Sequence, residues 1–143
     1  MIEYRPLKQG HIALIAAQPD DKHTQLAYLS GAMREVLENE FSFSAFSGNK
    51  CLGAAGIIRI TPRRGLAWAM LSREAGPHMM ALTRKAKRGL DLHPCSRVEM
   101  TVLCDFEPGH RWARLLGMDL EAPRMRGSSM SGLDEALYAR VRG

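Results

Sequence analysis

The sequence predicts one α/β domain over residues 1–143, with a mixed, mostly antiparallel central sheet and helices on both faces. Three observations predict it. Strand and helix periods follow one another in the order β, α, α, β, β, β, α, β, α, β, β. The middle strands are joined by short turns, whereas a long helix precedes the next strand, which demands a crossover. The 143 residues are 45% hydrophobic and 24% charged, enough for one buried core, with no repeat or low-complexity tract to mark a second domain.

Residues 2–5 alternate and close at Pro6, as an opening strand does. Residues 7–17 place Ile12, Leu14 and Ile15 at helical spacing until Pro19, Asp20 and Asp21 break the pattern. A second helix is expected over 24–39, with Leu26, Leu29, Met33, Val36 and Leu37 on its apolar face. Residues 41–46 set Phe41, Phe43 and Ala45 against Ser42 and Ser44, a half-buried strand. A hairpin turn at 47–50 leads to a return strand at 51–61, with Gly53 and Gly56 as bulge sites. After a turn at 62–65, residues 66–72 are apolar nearly throughout and predict a central strand. A long helix over 77–90 turns Met79, Met80, Leu82 and Ala86 inward and Arg84, Lys85, Lys87 and Arg88 outward. A β-branched strand at 97–105, a short helix at 108–116 stopped by Gly117, and strands at 119–125 and 136–142 complete the chain. The linker at 127–132 reads as mobile.

The net charge is +5 and the isoelectric point about 9.4, which favours an anionic partner: a nucleotide-bearing cofactor, nucleic acid or an acidic surface. Three cysteines, Cys51, Cys95 and Cys104, have no repeated spacing and fit a reducing compartment. Residues 1–6 lack a signal-peptide pattern, and no run of about 18 apolar residues exists, so a cytoplasmic protein without a membrane span is expected. His93, Cys95, Cys104 and His110 match no common ligand spacing, so no metal is expected. No P-loop, Rossmann glycine pattern or Ser-His-Asp order is present.

The most informative stretch is 71–78. A central strand ends, a turn of small residues follows, and a helix begins with Pro77 at its first position. Free N–H groups at such a helix start favour an anion, and a diphosphate suits them. Gly76 lets a ligand come close to the backbone.

The pattern Arg73-x-x-Gly76-x-His78 resembles the Q/R-x-x-G-x-G/A pyrophosphate loop of the GNAT N-acetyltransferases, with His78 in place of the final small residue. Residues 111–118 resemble the short helix and L-G-F strand entry of that family, and Tyr4, Arg5 and Pro6 its first strand. The element order agrees over nearly the whole chain. A narrower likeness is to compact phage-encoded GNAT-like proteins of the internal virion protein A type, carried by Lys85, Ala86, Lys87 and Arg88 and by the segment from His110 to Gly117.

The resemblance implies acetyl-CoA as co-substrate. It assigns the backbone of Met70, Leu71 and Ser72 to the pantetheine arm, and the amides of Arg73, Glu74, Ala75, Gly76, Pro77 and His78 to the pyrophosphate. Arg84, Lys85, Lys87 and Arg88 would reach the adenosine phosphate, and the thioester would lie in a splay beside the strand ending at Cys104. The catalytic end departs from the family. Ala113 stands where a Tyr acid is usual, and Asp105, Phe106 and Glu107 where an Asn is common. Glu99, His110 and Cys104 are the candidates to replace them.

Three readings follow. The first is an N-acetyltransferase acting on a small-molecule or protein amine. The second is a non-catalytic GNAT-like protein, structural or host-directed, in a host cytoplasm or virion, working through a protein partner or as a homodimer. The third is a basic nucleic-acid module, disfavoured because the basic helix carries no interleaved aromatics for stacking.

Overall fold

A computed structural model describes residues 1–142. The strands are β1 (Glu3–Pro6), β2 (Phe43–Ser47), β3 (Lys50–Arg59), β4 (Arg64–Leu71), β5 (Arg97–Leu103), β6 (Asp119–Met125) and β7 (Glu135–Val141). The helices are α1 (Gln9–Ala13), α2 (Lys22–Tyr28), α3 (Arg34–Leu37), α4 (Met79–Leu92) and α5 (Glu107–Leu115). The strands form one seven-stranded sheet in the order β1-β2-β3-β4-β5-β7-β6. The β4–β5 pairing is parallel, set by Arg64, Gly65 and Leu66 against Arg97, Val98 and Glu99. The pairs β1–β2, β2–β3, β5–β7 and β6–β7 are antiparallel. This is the mixed, mostly antiparallel α/β fold that the element order predicts. The last strand in sequence lies inside the sheet, between β5 and β6.

The chain divides into two compact units, each described on its own. The first comprises Met1–Ile58 and Trp68–Leu82. Helices α1 to α3 cover one side of its sheet, with Ile12, Ile15 and Leu37 packed on Phe46, Ala54, Trp68 and Met70. The other side carries Ala45 and Leu52 under Ala75, Met79 and Leu82 at the start of α4. The expected second helix is interrupted: α2 ends at Tyr28, a 3-10 turn spans Gly31–Met33, and α3 follows. Ser30-Gly31 breaks the helix locally, and a residue distant in sequence satisfies the carbonyls left there. The Gln9 side-chain amide donates to the carbonyls of Tyr28 and Ser30 at 2.7 and 2.6 Å and holds the break open. Leu26 and Val36, expected inside, are therefore exposed, as are Leu14 just beyond α1 and Met80 in α4.

Ser42 and Ser44, read as the outer face of β2, are buried with both hydroxyls bonded. Ser42 donates to the Asn39 carbonyl at 2.9 Å, and the Ser44 hydroxyl lies 2.9 Å from His11 Nδ1. Gly53 and Gly56 both mark close approach, and Gly53 also borders the bulge expected there, whereas no register shift falls at Gly56. A Cβ on Gly53 would stand 2.7 Å from the Met70 carbonyl oxygen, and one on Gly56 would stand 2.8 Å from Ser42 Cβ. The register shift falls opposite Ala45 and Phe46 of β2, which face Gly53 and Cys51, so the extra residue is Leu52 on β3, beside Gly53.

The second unit comprises Arg59–Ala67 and Thr83–Gly143. Gly117 ends α5 with φ at +82°, a left-handed conformation suited to glycine. Trp112 on α5 donates to Thr83 Oγ1 on α4 at 2.8 Å. Arg142 caps the C-terminal end of α4: its guanidinium donates to the carbonyls of Asp91, His93 and Cys95. A cation there also opposes the negative end of the helix dipole. The 127–132 segment, read as a mobile linker, is a hydrogen-bonded turn. Asp134 accepts from the Gly127 amide at 2.8 Å, Gly132 donates to the Ser129 carbonyl, and Ser129 donates to the Leu133 carbonyl.

Candidate functional site

The candidate anion site sits in the first unit, where β4 passes through residues 72–75 into a 3-10 turn at Gly76–His78 and then into α4. Ser72 and Ala75 are buried and anchor the turn, while Arg73, Glu74, Gly76 and Pro77 are exposed. A Cβ on Gly76 would meet nothing within 4 Å, so the space above this backbone is open. Arg73 has no ion pair among the described residues, whereas Glu74 pairs with Lys50 at 2.8 Å.

The cradle is narrower than the sequence implies. The Arg73 amide donates to the Ala16 carbonyl at 2.9 Å, and the Glu74 amide donates to Ser72 Oγ at 3.1 Å. The Ala75 amide donates to the Ser72 carbonyl and the His78 amide to the Ala75 carbonyl, at 3.0 and 2.8 Å. Pro77 has no N–H. The turn is stabilised by its own 3-10 bonds, which consume the donors that a flat phosphate cradle would leave outward. Gly76 keeps an amide with no partner among the described residues, and Arg73 adds a guanidinium.

The strand leading in is also partly committed. Ser72 donates to the Leu52 carbonyl on the β3 side, at 2.8 Å. On the opposite edge, Ala17 pairs with Ser72 in an isolated antiparallel bridge. Residues 68–70 of β4 thus lie between the β5 ladder, which ends at Leu66, and that bridge.

The three residues expected to move protons lie in the second unit, and each is already engaged. Glu99 is 5% exposed. Its carboxylate accepts Arg64 Nε and Nη2 at 2.6 and 2.8 Å, and Arg97 Nε at 2.7 Å. The Arg64 hydrogen bond, aided by Arg97 and opposed by burial, holds the Glu99 carboxyl at about 2. A carboxylate so acidic is a weak proton acceptor near neutral pH. Arg97 in turn makes a two-pronged pair with Glu121 at 2.9 and 2.6 Å. Glu99 is the keystone of an Arg64–Glu99–Arg97–Glu121 chain and binds strands together.

His110 spends both ring nitrogens. Nε2 stands 2.9 Å from the Cys104 carbonyl, which only accepts, so Nε2 carries the proton and Nδ1 takes the Tyr138 hydroxyl at 2.7 Å. The imidazole pins the turn between β5 and α5, with no lone pair left for a substrate. Cys104 is half-buried and its thiol points at the Pro123 carbonyl, 3.4 Å away. Ala113 is fully buried and has no proton to donate. Among the described residues, no three His, Cys, Asp or Glu side chains cluster as a metal site.

The residues that sequence reasoning missed are partners across long separations: Tyr138 for His110, Arg64 for Glu99, and Ala16 for Arg73. A tyrosine at an inward position of β7 was the one signal available, and it did not say which residue it would meet.

No protein-family model matches the sequence, and no curated protein matches it. Solved structures do match, over nearly the full length of both chains. A GNAT-family acetyltransferase from Bacillus anthracis aligns over 98% of this chain and 94% of its own, at a TM-score of 0.67 and 13% identity. The ribosomal L7/L12 α-N-protein acetyltransferase RimL, solved in complex with coenzyme A, aligns over 98% and 93%, at a TM-score of 0.63 and 16% identity. A chimera of a Vibrio cholerae spermidine N-acetyltransferase aligns over 98% and 95%, at a TM-score of 0.63 and 12% identity. The chain therefore has the fold of the GNAT acetyltransferases. At these identities the likeness speaks for the fold alone.

Proposed function

We propose that the protein binds an acyl-CoA along the end of β4 and the start of α4, and transfers the acyl group to a primary amine. The observation that carries this reading is the junction itself. A strand edge at residues 68–70 is followed by an exposed Gly76 amide, an exposed Arg73 guanidinium and the N-terminal end of a 14-residue helix, on a GNAT fold. Main-chain groups on that edge suit an extended, amide-bearing arm such as pantetheine. Arg73 and Gly76 suit the diphosphate that follows it. The charge favours the same partner, since a net +5 draws an anionic donor. RimL, of the same fold, was solved holding coenzyme A and is described as acting on a protein α-amine, and the Vibrio cholerae relative on spermidine. A small-molecule or protein amine is the acceptor class proposed for this chain.

The reaction forms a C–N bond and breaks the thioester C–S bond. With Glu99 and His110 committed elsewhere and Ala113 in place of an acid, the amine proton passes to water and the thiolate takes one from water. The protein's contribution is then to bind and align. Release of CoA thiol, followed with a panel of polyamines and peptide α-amines, tests the proposal; no turnover with any of them argues for the second reading. In that reading the chain keeps the donor site but not the chemistry, and acts through a partner protein, in a cytoplasm or, if phage-encoded, in a virion. The observation that favours it is the full engagement of Glu99 and His110 described above.

A further inference from the structure

The segment after α1 occupies the edge of β4 at the entrance to the donor site, and we propose that it is a strap that must lift before an acyl-CoA can seat. The inference rests on the acyl-donor reading above. α1 stops at Ala13, and the chain runs on with Ile15 and Ala17 buried. Ala17 then pairs with Ser72 in a single antiparallel bridge, and the Arg73 amide donates to the Ala16 carbonyl at 2.9 Å.

Strand geometry fixes which edge this is. Backbone groups of successive residues point to opposite edges. Ser72 donates to Leu52 on β3, so Arg73 donates away from β3. That edge is the one on which Arg64, Gly65 and Leu66 pair with β5 at the other end of the strand. The strap thus takes main-chain positions that an extended ligand on β4 would use, and its Ala16 carbonyl consumes the first amide of the anion turn. A diphosphate and the strap compete for the Arg73 N–H.

The strap is built to exchange. It makes one bridge and no ladder, its two residues are alanines with little side chain to interlock, and Pro19 follows, with no amide to extend the pairing. It is tethered from behind by Gln25, whose side-chain amide donates to the Ile12 and Ile15 carbonyls at 2.8 and 2.9 Å. A ligand that replaces the bridge bonds with its own returns what it displaces.

The test is a reversible lock. Facing residues of an antiparallel bridge lie close enough for a disulfide. The full-length Ala17→Cys/Ser72→Cys variant is titrated with acetyl-CoA by calorimetry, first oxidised and then reduced, with the crosslink mapped by mass spectrometry. The expected result is at least tenfold weaker binding in the oxidised form than in the same variant reduced. Equal affinity in the two forms overturns the strap while leaving the donor site in place. Absence of binding to the reduced variant and to the unsubstituted protein alike overturns the donor site, and the strap with it. A second variant guards against misfolding of the first. Gln25→Ala loosens the tether and is expected to bind acetyl-CoA about threefold more tightly, with faster hydrogen exchange at residues 15–18; unchanged or weaker binding contradicts the proposal.

Discussion

Replacing Glu99 by glutamine removes the one buried charge that joins Arg64, Arg97 and, through Arg97, Glu121. Holding this carboxyl at about 2 instead of the ordinary 4.5 favours the folded state by roughly 3 kcal/mol, because each pH decade is worth about 1.4 kcal/mol. Arg64 is half-exposed, so solvent screens part of the attraction and roughly 2–3 kcal/mol is expected at neutral pH. For a chain of this size that is a fall in Tm of roughly 6–12 °C. Folding lowers the Glu99 pKa, so the contribution is complete above the unfolded value near 4.5 and drains away as pH falls toward 2. Thermal unfolding of the protein and of Glu99→Gln, followed by circular dichroism between pH 7 and pH 3, should show the gap between them closing by more than half. A variant within 2 °C of the parent at pH 7, or a gap unchanged at pH 3, would refute the keystone role.

Other consequences are as direct. Gly53→Ala drives a Cβ against the Met70 carbonyl, a backbone atom that cannot step aside, and should cost roughly 2–3 kcal/mol in urea unfolding. Tyr138→Phe strips His110 Nδ1 of its donor and should cost about 1–2 kcal/mol while leaving acetyl-CoA affinity within twofold, because the pair pins the turn between β5 and α5, which is no part of the proposed donor site. Arg142→Ala uncaps α4 and should speed hydrogen exchange in its last turn, at a cost of about 1–2 kcal/mol.

What the sequence disclosed and what it concealed divide along the range of the interactions. β6 over 119–125, the Gly117 stop and the central place of β4 are local or compositional, and periodicity and turn chemistry read them. The break in the second helix falls at Ser30-Gly31, a local turn signal, and is held by Gln9, some twenty residues away, which nothing within 24–39 announces. The same holds for the site. A turn ending in Gly76 and Pro77 reads in sequence as a candidate anion site, yet the Arg73 amide is taken by Ala16 from the other side of α2 and α3 in sequence. Glu99, His110 and Cys104 were sensible candidates by residue type, but their partners Arg64, Tyr138 and Pro123 stand 35, 28 and 19 residues away. Chemistry-bearing residues can be picked from a chain by type, whereas their availability is set by tertiary partners.

The donor site is most directly tested by calorimetric titration of acetyl-CoA into the protein and into Arg73→Ala. Saturable binding to the protein, weakened about tenfold or more once the guanidinium is gone, is the result expected for a charge-assisted phosphate contact. Absence of binding at millimolar acetyl-CoA, or equal affinity in the two proteins, would contradict it.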